Sequence, residues 1–483
     1  MNKSHLAWIV LVMLGTQACQ PPQGIDPNKP LIVAAKKRLW NQAEPYSDWQ
    51  DYETRTVKHL AIEELKEDKV SKYGGWWEQK TEATGFFYTK KIGDRWWLVD
   101  PSGYLFIERG LASTRPLRTD IGERAWKEKY ENEKDWADQA ATLFRAYGYP
   151  STGAFSNMRM AKLADKRLNY SANLSFMRTY GEDVKGLERY DSKKWEFYAL
   201  EEDFRQYCMD KAEAVIGFGA GDDQAEQQLT IDVNDPNLIG YFSDNELPFH
   251  LTFLDTFLTR NEDKETFEAT RTWFDERKGA EAGLNEITED DRLAFLQFLA
   301  DRYFEVVSTA IRTYDKNHLY LGCRFHNTAF KKRGLALFKA IEPYADVISL
   351  NWYGTWTPAD SIIQAWGKVA DKPIMIGEFY TKGEDTGMSN IAGAGWVVKT
   401  QKDRGLFYQN YTLSLLESKR CVGWHWYRYQ DNDPDAEAED TSNADSNKGV
   451  VTREYEPYTG ILDQMGELNK SVYSIATHFD KKQ

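Results

Sequence analysis

Two short strings hold the side chains best placed to do chemistry: Phe242-Ser243-Asp244-Asn245-Glu246-Leu247 and Ile374-Met375-Ile376-Gly377-Glu378-Phe379-Tyr380. Each is an apolar, strand-like run ending on a glutamate, which follows an asparagine in the first and a glycine in the second. A glutamate at a strand end is ordinarily a solvated or capping residue. Two of them, brought together, form the carboxyl pair that cleavage of a glycosidic bond needs. One must be protonated to donate to the leaving oxygen, and the other ionised. Asp244, two residues before Glu246, is an alternative carboxyl for the same role. The two glutamates lie far apart in the chain, so only a fold can unite them.

The elements between them define that fold. Eight strands are expected at Tyr104 to Gly110, Ser151 to Phe155, Leu174 to Arg178, Leu238 to Phe242, Leu319 to Phe325, Val347 to Trp352, Ile374 to Phe379 and Val422 to Trp426. Most are short apolar runs without strict alternation, as in parallel strands covered on both faces. Helical spacing falls between them. Phe295, Phe298, Leu299, Tyr303, Val306, Val307 and Ile311 mark a helix over Arg292 to Tyr314, and Glu289-Asp290-Asp291 at its start complements the helix dipole. Ser361 to Val369, Phe407 to Leu416 and Ile461 to His478 supply further helices, and Arg260 to Asp291 reads as an insertion with a helix of its own.

Alternating strands and helices predict an α/β fold, a (β/α)8 TIM barrel spanning 101–483. Ahead of it, 46–100 forms a small N-terminal β-rich appendage, with a hairpin turning at Gly93-Asp94. In such a barrel Glu246 ends the fourth strand and Glu378 the seventh, on the face where strand tips meet loops.

Composition bounds the partners. Of 483 residues, 61 are Lys or Arg and 75 Asp or Glu, a net charge of −14, which argues against nucleic acid. Met1 to Ala18 has the charge and apolar core of a secretory signal, too short to stay as a membrane span. Thr16-Gln17-Ala18-Cys19 resembles a bacterial lipoprotein box, with Cys19 lipidated and 19–45 as a tether. The expected location is therefore the periplasm or outer membrane of a bacterium, with a lipid anchor as the sole membrane contact. Cys208, Cys323 and Cys421 lack metal-ligand spacing, and the last two sit in apolar runs as buried thiols. No cofactor or metal motif occurs, and the oligomeric state is left open.

With Asn245-Glu246 after the fourth strand and Glu378 after the seventh, the chain resembles clan A of the glycoside hydrolases from about Trp96 onward. Arg95-Trp96-Trp97-Leu98-Val99-Asp100-Pro101, Gly240-Tyr241-Phe242-Ser243-Asp244-Asn245-Glu246-Leu247 and Trp424-His425-Trp426-Tyr427-Arg428-Tyr429-Gln430-Asp431 narrow the likeness to the β-agarases of family 50. The resemblance implies retaining hydrolysis, with Glu246 as acid/base and Glu378 as nucleophile. It implies that Asn245 binds the hydroxyl beside the anomeric carbon, that Tyr353 orients the nucleophile, and that Trp424 or Trp426 forms the floor under the sugar. His326 and Asn157 are polar wall candidates. The implied substrate is a β-linked galactan of agarose type.

Other readings stay open. Arg115, Arg118 and Lys331-Lys332-Arg333 would meet sulfate groups in a carrageenan- or porphyran-like polymer, or are solvated loop charges. A β-galactosidase or β-glucanase of the same clan would share the machinery. A non-catalytic glycan-binding lipoprotein would not need all of Asn245, Glu246, Tyr353 and Glu378. The acidic stretch Asp431 to Asn447 would wall one end of the cleft, lie as a mobile surface loop or, on a weak signal, bind calcium.

Overall fold

A computed structural model describes residues 29–40, 42, 44–62, 65–188, 197–217, 231–260, 264–326, 332–435 and 445–481. The expected signal, Cys19 and the tether to residue 28 lie outside the described residues, as do 436–444 of the acidic stretch. Nine short parallel strands form the centre, in two sheets. One runs in the order Leu319–Tyr320, Leu238–Phe242, Tyr170–Asn173. The other runs Phe325–His326, Ile348–Asn351, Ile374–Phe379, Cys421–Trp426, Glu108–Leu111, Ser151–Thr152. Helices alternate with these strands, among them Glu289–Tyr314, Asp360–Val369 and Gln401–Glu417. The fold is α/β with mixed sheets. No continuous ladder of these strands closes into a barrel.

Alternate side chains on the strands enter different cores. Ile374 and Ile376 pack in the large cluster, shared with helix residues such as Leu299, Tyr303 and Tyr411. Met375 joins a smaller cluster with Ile239, Leu321, Val347 and Val422. That smaller cluster also holds Leu98 and Phe106 from the antiparallel sheet Trp76–Lys80, Tyr104–Phe106, Arg95–Val99, Tyr88–Ile92, and Phe87 just before its last strand. The hairpin turning at Gly93-Asp94 is thus present, and its apolar face covers the inner core.

Several boundaries differ from expectation. Tyr104 to Gly110 divides: Tyr104–Phe106 pairs antiparallel with the hairpin, and only Glu108–Leu111 enters the parallel sheet. The third strand is Tyr170–Asn173 rather than Leu174 to Arg178. Leu174 closes the strand, and the apolar Phe176 and Met177 instead open the helix Phe176–Asp183, burying one face of it. The fifth run is broken at Gly322 and Arg324, both at positive φ. Ile461 to His478 is two helices, Thr459–Asn469 and Val472–Lys481. Within 19–45, Leu31–Lys36 is no tether. Its alternating apolar residues pair it with Gln50–Thr54 and with Trp396–Val398.

The insertion carries its own helix, Lys264–Lys278. The long helix after it starts on a capping box, Thr288 Oγ1 accepting from Asp291 N while Asp291 accepts from Thr288 N. Cys208, Cys323 and Cys421 are buried free thiols. Among the described residues no helix is long and apolar enough to cross a membrane, and no three His, Cys, Asp or Glu side chains cluster as metal ligands.

Candidate active site

The strand tips are where the backbone is strained. Ser113, Phe155, Ser175, Glu246 and Arg324, one after each of the first five parallel runs, all have φ between 52° and 62°. A left-handed conformation is costly for a side-chain-bearing residue and persists only where neighbours over-determine it. Five in succession along one end of the sheets mark that end as the site.

Glu378 lies in the strand Ile374–Phe379 and is 7% exposed. Its Oε1 accepts from Nη2 of Arg324, a fully buried guanidinium, and its Oε2 accepts from the Tyr353 hydroxyl at 2.5 Å. Charge-assisted bonds of this kind suit a carboxylate anion. Burial first, then the Glu378 carboxylate, push the Tyr353 hydroxyl well above its ordinary pKa, so it remains a donor. Gly377 is required here. A Cβ on it would lie 2.7 Å from Asn351 Oδ1 and 3.1 Å from Arg324 Nη1.

Glu246 is reached through the same residues. Arg324 Nε donates to Asn245 Oδ1 at 2.8 Å, and Asn351 Nδ2 donates to Asn245 Oδ1 at 3.1 Å and to Glu246 Oε1 at 2.9 Å. Arg324 and Asn351 therefore tie Asn245, Glu246 and Glu378, from four strands in all, into one network. Glu246 itself is half-buried.

Asp244 has a different task. Its carboxylate accepts from Met177 N at 3.0 Å, Arg178 N at 3.3 Å and the Tyr303 hydroxyl at 2.6 Å. It thereby caps the helix Phe176–Asp183, whose own N-cap Ser175 makes no side-chain capping bond. Burial pushes its pKa up to about 6. Being 1% exposed, Asp244 is not available to a substrate as a replacement for Glu246.

The remaining sequence candidates divide. His326 is half-buried at the end of Phe325–His326, and burial, then Arg333, lowers its pKa, which keeps it neutral. Asn157 caps the helix Met158–Leu163 through Met160 N at 3.3 Å and donates to Glu133 at 3.4 Å, so its side chain serves the loop.

Trp424 and Trp426 are 0% exposed and correct the expectation of a sugar floor. Their ring nitrogens donate inward, Trp424 to the Tyr408 hydroxyl at 2.7 Å and Trp426 to Lys448 O at 2.9 Å. His425 between them faces the other way, against Glu108 at 3.1 Å. Tyr427, one residue further on, is partly exposed near Tyr380. Arg115 is partly exposed and Arg118 exposed, and Lys331 lies outside the described residues. The described ends of the acidic stretch are not loose. Asp431 accepts from Asn447 at 3.0 Å and from Tyr458 at 2.7 Å, and all three pack beside the strand end.

Sequence reasoning missed Arg324, Asn351, Phe155 and Tyr427. A signal existed for the first two. A charge inside Leu321-Gly322-Cys323-Arg324-Phe325, and an amide inside Ile348-Ser349-Leu350-Asn351-Trp352, are costly to bury unless partnered.

An α/β fold whose strand tips carry a linked pair of glutamates has the layout of a glycoside hydrolase. No protein-family model matches the chain. More particularly, it is similar to β-agarases and to structures of family 50. It is 26% identical to β-agarase B of Vibrio sp. (strain JT0107) over 89% of this chain and 54% of that protein. It is 27% identical to β-agarase A of the same organism over 71% of this chain and 37% of that protein. The chain thus spans about half or less of these curated relatives. The structure of BpGH50 matches with a TM-score of 0.78 at 29% identity, over 96% of this chain and 98% of that one. PfGH50B shares the fold, with a TM-score of 0.70 at 22% identity over 85% and 70% of the two chains.

Proposed function

We propose that this chain is a retaining glycoside hydrolase that cleaves β-galactosidic bonds of an agarose-like galactan. The observation that carries the reading is the single network in which Arg324, Asn245 and Asn351 join Glu246 to Glu378. The named β-agarases among the relatives favour agarose as the polymer.

In this reading the parallel strands act as one (β/α)8 ring. Two features support it. A bridge from Ser151 to Asn169 links the two sheets on one side, and Leu319–Tyr320 and Phe325–His326 belong to one run on the other. Glu378, fixed by Arg324 and Tyr353, attacks the anomeric carbon as its bond to the leaving oxygen breaks. Glu246 gives that oxygen its proton, then takes one from the water that displaces Glu378 from the sugar. Asn245 turns its carbonyl oxygen to Arg324 and Asn351, which leaves its amide N–H groups for the neighbouring sugar hydroxyl. Tyr427, partly exposed beside Tyr380, replaces Trp424 and Trp426 as the aromatic that the last parallel strand offers to the cleft. Lipidation at Cys19, and with it a place in the bacterial envelope, belongs to the same proposal.

The test is product analysis on agarose, κ-carrageenan and porphyran, with the anomer of the first product read by NMR. Release of β-anomeric oligosaccharides from agarose is expected. Cleavage of the sulfated polymers alone would move the substrate to a sulfated galactan and give Arg115 and Arg118 a role.

A further inference from the structure

Phe155 is an exposed phenyl ring directly above the charged centre of the site. It is 36% exposed, whereas Ala154 before it is fully buried. Its φ of 62° turns the side chain away from the path of the strand. The loop is held on both sides of it by bonds to the neighbouring tip. Ser113 N donates to Ala154 O at 2.8 Å, Asn157 N donates to Thr114 O at 2.8 Å, and Thr114 N donates to Ser156 Oγ at 3.0 Å. A strained residue kept this firmly is not a loose surface side chain.

One face of the ring lies on Arg324, whose guanidinium carbon is 5.1 Å from the Phe155 centroid and 5.2 Å from that of the buried Phe242. Arg324 thus lies against both rings, while its nitrogens bond to Glu378 and Asn245. Phe242 closes the inner side. Phe155 closes the outer side and keeps apolar surface exposed beside the nucleophile.

Resting on the functional reading above, we infer that Phe155 is a substrate-contacting platform: the exposed part of its ring packs against the C–H face of a galactose unit beside Glu378. An apolar ring offered to solvent on the guanidinium that holds Glu378 and Asn245 is the complement of a sugar, which presents C–H groups on one face and hydroxyls at its edge. The same ring keeps water from the outer face of Arg324. A purely structural cover would need only apolar bulk, while a platform needs a flat aromatic face.

That difference sets the experiment. Phe155→Leu and Phe155→Trp are compared with the wild type on agarose tetrasaccharide and on a κ-carrageenan tetrasaccharide, with thermal melting of each protein. The expected result is that Phe155→Leu raises KM on the order of tenfold with a smaller change in kcat, while Phe155→Trp keeps KM near wild type and both melt normally. Wild-type KM in a folded Phe155→Leu protein, with the wild type active, would overturn the platform and leave the proposed function standing. If Phe155→Leu does not fold, Phe155→Tyr and Phe155→Trp decide instead, and a tenfold rise in KM in both would equally overturn the platform. A wild type inactive on both tetrasaccharides would overturn the functional reading and this inference with it.

Discussion

Glu246 and Glu378 are the same side chain at two strand tips, in unlike surroundings. Glu378 sits 7% exposed where its strand shifts register against both neighbouring strands, gripped by a fully buried guanidinium and a tyrosine hydroxyl. Glu246 is half-buried at a left-handed residue and accepts from the neutral amide of Asn351. The first environment holds its carboxylate by a charge-assisted bond, and the second leaves its carboxyl partly open to solvent. Two chemical roles can thus be divided between identical residues by what the neighbouring strand tips donate.

The most direct way to break this comparison is to remove each carboxylate in turn. Glu378→Gln keeps the shape and loses the proposed nucleophile, so kcat should fall roughly 10⁴-fold or more while agarose oligosaccharides still bind. Turnover within tenfold of wild type would dismiss Glu378 from the role. Glu246→Ala should cost less, about 10²- to 10⁴-fold, the usual contribution of a general acid/base. Added azide should restore turnover of an aryl β-galactoside bearing a good leaving group and yield the β-galactosyl azide, because azide then attacks the glycosyl-enzyme from the open face. An α-azide from Glu246→Ala would reverse the two assignments.

Asp244 sharpens the comparison on the Glu246 side through stability. Burial holds its pKa near 6, against 3.8 for an ordinary aspartate. Between those values the folded chain keeps a proton that the unfolded chain has lost. The stability from this group is therefore complete below about pH 4 and is lost as the pH rises through about 6. At 1.36 kcal/mol for each decade, the wild type should lose roughly 3 kcal/mol relative to Asp244→Asn between about pH 4 and pH 7. Urea unfolding of both proteins across that range measures it, and a pH-independent difference would refute it.

The sequence was most legible where burial and pattern agree. Leu238–Phe242 and Ile374–Phe379 are continuous apolar runs, covered on both faces, and their bounds are those expected. Tyr170–Asn173 was not legible. Tyr-Ser-Ala-Asn is a weak strand pattern, yet pairing with Leu238–Phe242 and burial of Tyr170 and Ala172 override it.

At the site, the glutamates stood out because they end strands, and Asn245 and Tyr353 through the resemblance to clan A. Arg324 and Asn351 did not, because a polar residue inside an apolar run looks like an interruption until its partners on other strands are known. Trp424 and Trp426, two residues apart on one strand, share one face. Period two cannot say which face, and theirs is the one packed under the helices beside Tyr408.

The smallest effect lies within one loop and tests the comparison at its finest scale. Asn157 and Phe155 are two residues apart, but Asn157 turns its amide oxygen onto Met160 N and Phe155 turns its ring outward. Asn157→Ala removes a helix cap, so it should lower stability by about 1 kcal/mol and leave KM unchanged. The loop stays fixed by the backbone bond from Asn157 N to Thr114 O, which alanine retains. Urea unfolding and steady-state kinetics on the same preparation separate the two outcomes. A raised KM at unchanged stability would return Asn157 to the cleft wall, and the outer surface of this loop would then bind sugar through its polar edge as well as its ring.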